Sequence, residues 1–476
     1  MRTIGLVAIF LASFVIIVGN TSNDKSYAFE VGGRDVTDVW HEWIEAMPGN
    51  GTEDDPKIIN TLDDLVKIQI MVNNSHEGFL ASAIFGESYV EEGTGIVHLP
   101  NDANVYLALG ADIDLSPLNG QRIDMLNEPK YCWDPIGTKG YPFMAHFDGR
   151  DHSIENLKIA ENPEISDERA KSFTAQRYLG LFGVTNHAEI KNIKLLNVIS
   201  VQGISSIGAL VGEAQYTDIS NVATNYSSRN DNAEIRSVSG QENVGGLIGH
   251  LAHSNITKCS SFLSVNGVKS TGGLVGLTES ANIFGSYSKG RVYGDDLVGG
   301  LVGANTEKSA IKNSYAEGDV YGRINVGGIS GSNIVSKIEN SLALNRHILS
   351  TENINDTQFF GVITGTSVEN LYAIQECIRM VAGVPSIEGT GMEKFDMENL
   401  TIENALKNNY AFENVIISKN KCFGFLYSKH DNIDGAKMKN EDLRPGWVTE
   451  RRTNWEPWRT EDGWMLLDEI FPPIHS

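Results

Sequence analysis

Gly245-Gly246-Leu247-Ile248-Gly249 returns as Gly272-Gly273-Leu274-Val275-Gly276 and again as Gly299-Gly300-Leu301-Val302-Gly303. A variant, Gly327-Gly328-Ile329-Ser330-Gly331, follows. Weaker copies stand at Gly180-Leu181-Phe182-Gly183, Ala209-Leu210-Val211-Gly212 and Gly361-Val362-Ile363-Thr364-Gly365. The closing glycines are Gly183, Gly212, Gly249, Gly276, Gly303, Gly331 and Gly365, and the steps between them are 29, 37, 27, 27, 28 and 34 residues. The central unit is therefore 27 to 28 residues long, with insertions in the outer copies. A fixed period of this size marks an architecture in which each unit packs against the next.

Two more elements keep register with the glycines. Ile190, Ile219, Ile256, Ile283 and Ile338 stand seven residues after a closing glycine, and Ile311 stands eight after its own. Asn313-Ser314-Tyr315 and Asn340-Ser341-Leu342 follow these isoleucines, and a Gly-x-Val-x-Gly element recurs at Gly290-Arg291-Val292-Tyr293-Gly294 and Gly318-Asp319-Val320-Tyr321-Gly322. Each unit reads as three short strands, rich in β-branched and aromatic residues, separated by Gly, Asn and Ser. No helical period fits between them. The expected fold is all-β, a parallel β-solenoid in which coils stack about 4.8 Å apart. Stacking buries Ile over Ile, and Leu247 over Leu274 over Leu301, in one continuous core. The Gly-Gly pair reads as backbone geometry. A phosphate cradle would need Gly-Lys-Ser/Thr and a following helix, and neither is present. Leu301 and Val302 are neighbours, so a regular strand points them to opposite faces. Either a bulge turns one inward, or a flanking segment covers the outward one, which is the expectation.

The flanks carry other signals. Met1-Arg2, the apolar run from Ile4 to Val18 and Ser26-Tyr27-Ala28 read as an export signal over residues 1–28. Nothing later is apolar enough to span a bilayer once that segment is removed. Residues 29–104 read as an N-terminal cap. Within it Thr61-Leu62-Asp63-Asp64 resembles a capping box that opens a helix to about Asn74, and residues 71–104 read as an insertion. The solenoid is expected over 105–375, with Ala111-Asp112-Ile113-Asp114-Leu115 and Ile154-Glu155-Asn156-Leu157 as imperfect first coils. Residues 376–476 read as a C-terminal cap, α+β or irregular, in which Trp447, Trp455, Trp458 and Trp464 pack together.

The balance of 38 basic against 61 acidic residues, a net charge of −23, excludes the basic footprint a nucleic acid needs. Such acidity allows weak calcium binding, but a solvated acidic surface is the simpler reading. Cys132, Cys259, Cys377 and Cys422 are scattered without a Cys-x-x-Cys pair, so a zinc knuckle is not expected. Cys377 with Cys422 is a conceivable disulfide. His41-Glu42-Trp43-Ile44-Glu45 approaches a zincin helix, yet its fifth residue is Glu where a second imidazole is required. Hydrolysis of a glycan would need two converging carboxylates. The pairs Asp112 with Asp114 and Asp148 with Asp151 are the nearest candidates, and turn residues that bond their own backbone are the simpler explanation.

The recurring Gly-Leu-Val-Gly, with Ile-x-Asn-Ser-Tyr and Gly-x-Val-x-Gly between copies, resembles the GLUG repeat of bacterial surface proteins. Gly51-Thr52-Glu53-Asp54-Asp55-Pro56, Trp133-Asp134-Pro135-Ile136-Gly137 and Phe147-Asp148-Gly149 fit the same arrangement, and the likeness runs over roughly residues 49 to 375. It implies a secreted or cell-surface location and an adhesive or scaffolding role. GLUG repeats also accompany the catalytic domains of IgA-specific metallopeptidases, but the likeness supplies no catalytic residue, and this chain has no His-Glu-x-x-His. The C-terminal Phe471-Pro472-Pro473-Ile474-His475-Ser476 is not a recognisable cell-wall sorting motif.

The expectation is a non-catalytic, adhesin-like protein without cofactor, presenting one solenoid face to an extracellular glycan or to a host or matrix protein. A polysaccharide lyase or glycosidase on a β-helix is the enzymatic alternative, and a passive structural spacer is the other.

Overall fold

The computed structural model describes residues 30–31, 34–74, 79–85, 89–90, 97–98, 104–118, 133–159, 177–225, 237–339, 341–345, 347–351, 360–361, 363–368, 410–412, 416–417 and 436–438. The expected signal segment 1–28, Cys132, Cys377, Cys422 and the four late tryptophans lie outside them.

Each central coil contains five short strands rather than three. One coil runs through Ser264–Asn266, Lys269–Gly272, Val275–Glu279, Asn282–Phe284 and Tyr287–Ser288. Each strand pairs in parallel with its counterpart one coil later: Val292–Tyr293, Asp296–Gly299, Val302–Thr306, Ala310–Lys312 and Tyr315–Ala316. The first three rows extend into parallel sheets of eight, seven and seven strands. The last two rows lie side by side and merge where Glu189–Leu196 and Asp218–Asn225 run through both. The fold is thus a right-through stack of parallel ladders, a β-solenoid.

Register follows the sequence period. Ile190, Ile219, Ile256, Ile283, Ile311 and Ile338 are Cα partners in turn, and all six are buried in one core. Each contributes about 1.5–3 kcal/mol on leaving water. Leu247, Leu274 and Leu301 form a second interior row, joined by amide-to-carbonyl bonds of 2.9 Å from Leu247 to Leu274 and 2.8 Å from Leu274 to Leu301. The interior is not wholly apolar. Thr278 Oγ1 donates to Asn305 Oδ1 at 2.8 Å, and Asn305 Nδ2 donates to Asn333 Oδ1 at 2.7 Å. These buried groups satisfy one another from coil to coil, as burial requires.

Leu301 and Val302 are both fully buried in the same core, so the expectation of a flanking cover is corrected. The chain bends at Gly300-Leu301, between the strands ending at Gly299 and starting at Val302. The amides of Leu301 and Val302 both donate to the Ile329 carbonyl, each at 2.9 Å. The strands stay in one-to-one register, Val275 with Val302 and Val302 with Ser330, so this is a bend shared by every coil rather than a bulge, and it turns both side chains inward. The bend repeats: Leu274 and Val275 share the Leu301 carbonyl, and Leu247 and Ile248 share the Leu274 carbonyl.

The closing glycine answers a neighbouring kink. Ser270 has φ of 53°, in register with Asn243 and Leu297, which are also left-handed. This left-handed row pushes the second sheet's backbone toward the third sheet of the following coil. A Cβ on Gly303 would collide with the backbone of Ser270 and Thr271, so only glycine fits. Gly276 stands against Asn243 and Val244, and Gly331 against Leu297 and Val298, in the same way.

At the N-terminal end, helices cover the stack. Thr61 Oγ1 accepts from the Asp64 amide at 3.1 Å, while Asp64 Oδ2 accepts from the Thr61 amide at 3.0 Å. This reciprocal box opens the helix Leu62–Asn74. Residues 71–74 therefore belong to the helix rather than to the expected insertion, and Phe79–Phe85 is a further helix. Asn73 then replaces a missing strand. Its Nδ2 donates to the Pro135 carbonyl at 2.8 Å and its Oδ1 accepts from the Gly137 amide at 2.7 Å. Ile136 between them uses its own backbone groups on Leu181 and Gly183 of the next coil. An edge that would otherwise offer open hydrogen bonds is closed by one side-chain amide.

The stack also exceeds the expected 105–375. Lys57–Ile59 already pairs with Tyr106–Leu109, because the helices Leu62–Asn74 and Phe79–Phe85 are inserted within the opening coil, and only Val36–Ala46 precedes it. Tyr410–Phe412 and Ala436–Met438 continue one ladder, and Ile416–Ile417 continues another.

Candidate functional site

Among the described residues, the densest ionic cluster lies on the third sheet, immediately after the closing glycines. Glu213 follows Gly212 and His250 follows Gly249, and the two are direct partners across neighbouring strands. Glu279 enters from the next coil, two residues farther along its strand. Lys139 reaches in from the turn that Thr138 and Tyr141 close by a 2.8 Å backbone bond.

Lys139 Nζ lies 2.6 Å from Glu213 Oε1, and Gln215 Nε2 donates to the same oxygen. His250 Nδ1 is 3.9 Å from Glu213 Oε2, and its Nε2 is 3.0 Å from Glu279 Oε2. The charges alternate along the chain Lys139, Glu213, His250, Glu279. Burial alone would push Glu213 up, but His250 and Lys139 outweigh it and hold the carboxyl down to about 2. Burial likewise opposes a charged His250, and Glu213 and Glu279 overcome it, pushing the imidazole up to about 9. His250 also draws Glu279 below the ordinary carboxylate range, against its burial. Neither Glu213 nor His250 titrates near neutrality, where a general acid or base must be poised. This cluster ties the coils of Glu213, His250 and Glu279 to one another and to the Lys139 turn, and it fixes a charge pattern.

Beside it runs a row of rings. His187, Tyr216 and His253 occupy successive coils, with centroid separations of 4.9 Å and 4.9 Å and interplanar angles of 14° and 7°. Tyr216 is 51% exposed. All three have left-handed φ, between 48° and 51°, because the chain turns there from the third sheet into the fourth face. Repetition of the turn stacks the rings.

The structural set Gly183, Gly212, Gly249, Gly276, Gly303, Gly331 and Gly365, with the three leucines and the isoleucines Ile256, Ile283, Ile311 and Ile338, forms the wall and core behind this surface. The acid pairs are occupied elsewhere. Asp112 Oδ1 accepts from the Ser153 amide at 2.7 Å, a bond that holds its carboxyl below the usual range. Asp114 Oδ1 accepts from the Ser116 amide at 2.8 Å and from Asn156 Nδ2 at 2.6 Å. Asp148 Oδ1 accepts from the Arg150 amide at 2.8 Å and from Asn192 Nδ2 at 2.9 Å. Asp151 sits in a left-handed turn with φ of 62°. His41 to Glu45 lie on the helix Val36–Ala46, whose Trp40, Trp43 and Ile44 are buried. Among the described residues, no group of three or more His, Cys, Asp or Glu side chains is arranged to hold a metal ion. Cys259 is a buried free thiol pushed up to about 12 by its burial. Among the described residues, no helix is long and apolar enough to cross a membrane.

A family model described as the GLUG motif matches residues 294–321. That span is one turn of the stack, from Gly294 through Asp296–Gly299, Val302–Thr306, Ala310–Lys312 and Tyr315–Ala316 to Tyr321. A search of curated proteins finds no match. Among solved structures, a Bacteroides ovatus protein provisionally assigned as an immunoglobulin A1 protease aligns with 17% identity and a TM-score of 0.37, covering 78% of this chain and 79% of that one.

Proposed function

We propose that this GLUG-motif β-solenoid is an exported, non-catalytic protein that binds an extracellular ligand on its outer wall. The observation that carries the reading is the paired state of the cluster on the third sheet. Lys139, Glu213, His250 and Glu279 neutralise one another in place, beside a row of stacked rings. Such a wall holds a fixed pattern of charge and aromatic edge, which serves recognition, and its two strongly shifted groups have no proton to exchange near neutral pH. Export fits the apolar run of residues 4–18, and the acidic composition fits a soluble extracellular surface. The role needs no cofactor.

The test is binding of the purified protein to an array of glycans and extracellular-matrix proteins, with and without calcium. Saturable binding to a ligand that is recovered whole supports the proposal. Loss of the bound ligand moves the protein to the carbohydrate-active enzymes, and silence across the array makes it a spacer.

A further inference from the structure

The outer face of the eight-stranded sheet changes character halfway along. Val201, Val238, Val265, Val292 and Val320 are its buried row, so the residues on either side of each valine point outward. In the earlier coils these are polar and carry no ring, with Gln202, Ser239 and Asn266 in one register row and Ser264 next to Asn266. One coil later Asn266 is followed by Tyr293, and Ser264 by Arg291. A floor of hydroxyl and amide side chains therefore ends at an aromatic step.

The step leaves one ring face open. Tyr293 stacks on Tyr321 of the next coil, with centroids 4.7 Å apart and planes within 6°. Its other face looks back along the stack over Asn266, whose side chain is too short to cover it, and Tyr293 is 38% exposed. Tyr216 differs, because rings occupy both of its faces. Arg291 is exposed and forms no ion pair among the described residues, in a chain of net charge −23. The nearest acid in its row, Asp319, is engaged by the amide and Nδ1 of His347 at 3.2 and 3.1 Å.

We infer that this step is a binding site for a carboxylated sugar, and the inference rests on the binding role proposed above. The sugar ring lies against the free face of Tyr293, where its C–H groups meet the negative face of the aromatic ring. Its hydroxyls reach Ser239, Ser264 and Asn266 on the floor. Its carboxylate pairs with the Arg291 guanidinium, a charge-assisted contact suited to a planar two-oxygen acceptor. The rest of the acidic surface repels an anion, so Arg291 fixes which end of the sugar enters.

Two probe pairs test the site by calorimetric titration: sialyllactose against lactose, and a galacturonate tetramer against its methyl ester. Binding of the acidic member of one pair identifies the source of the carboxylate. Arg291→Gln is expected to weaken that member on the order of tenfold, the usual loss of a charged hydrogen bond, and to leave the neutral member unchanged. Tyr293→Ala is expected to weaken both members. Unchanged thermal melts establish that the variants are folded. Equal affinity for acidic and neutral members, indifference to both substitutions, or no binding of any probe overturns the inference. If the array nevertheless yields another ligand, the binding role stands without this site; if it yields none, both fall.

Discussion

His250→Gln removes the central charge of the cluster on the third sheet, and the structure sets the size and pH range of the effect. The imidazole is raised from 6.5 to about 9, and at about 1.36 kcal/mol per unit this is about 3 kcal/mol of stability. The depressed Glu213 reports the same interaction from the other side and is not added to it. A group whose folded pKa is raised stabilises fully below its unfolded value and ceases to do so above its folded one. The contribution is therefore whole below pH 6.5 and fades as the pH rises to about 9. Glu213, depressed from 4.5 to about 2, limits the other side: its share is present above pH 4.5 and is lost as the pH falls toward 2. Urea denaturation between pH 5.5 and 9.5 is the assay. The wild-type protein should lose about 3 kcal/mol across that range, most of it between pH 6.5 and about 9, while His250→Gln should begin lower and show a flatter profile. Solenoids can unfold in segments, so a direct titration of the His250 ring by NMR accompanies the melts. A His250 pKa near 6.5, or an equally steep profile in the variant, would refute the reasoning.

Three further outcomes follow from the packing. Gly303→Ala should cost more than about 3 kcal/mol, since backbone on the neighbouring sheet cannot yield to the new methyl group, whereas Gly140→Ala, with open space around it, should change the melting temperature little. Asn73→Ala strips partners from the Pro135 carbonyl and the Gly137 amide, so about 1–3 kcal/mol should be lost, with faster amide exchange at Gly137 as the local sign. Cys259, buried and pushed up to about 12, should resist iodoacetamide at pH 8 in the folded protein and react once it is unfolded in urea, as peptide mass spectrometry would show.

The coil period was legible because glycine, leucine and isoleucine recur at fixed offsets, and parallel stacking turns an offset into a row. The inward bend at Leu301 and Val302 was not legible. Adjacent apolar residues carry no mark of whether the chain bends between them, and the bend is set by carbonyls of the next coil. Nor does anything in Ser270 or Leu297 announce a left-handed backbone, which is imposed by the sheets on either side. The ionic cluster was readable in part. Glu213 and His250 each follow a closing glycine, so aligning the copies on that glycine places them side by side, even across the longest step of 37 residues. Lys139 belongs to no repeat, and only the folded chain brings it to Glu213. The switch from Asn266 to Tyr293 on the outer face was visible as two aligned residues, but the open ring face depends on how Tyr321 stacks.

The claim that this wall recognises a ligand without transforming it is tested most directly by mass spectrometry of whatever the array captures. The protein is incubated with a saturating amount of that ligand, the complex is isolated, and the ligand is released and weighed. The account predicts stoichiometric recovery of unaltered ligand at every time of incubation. A mass loss that grows with time and with protein concentration would contradict it.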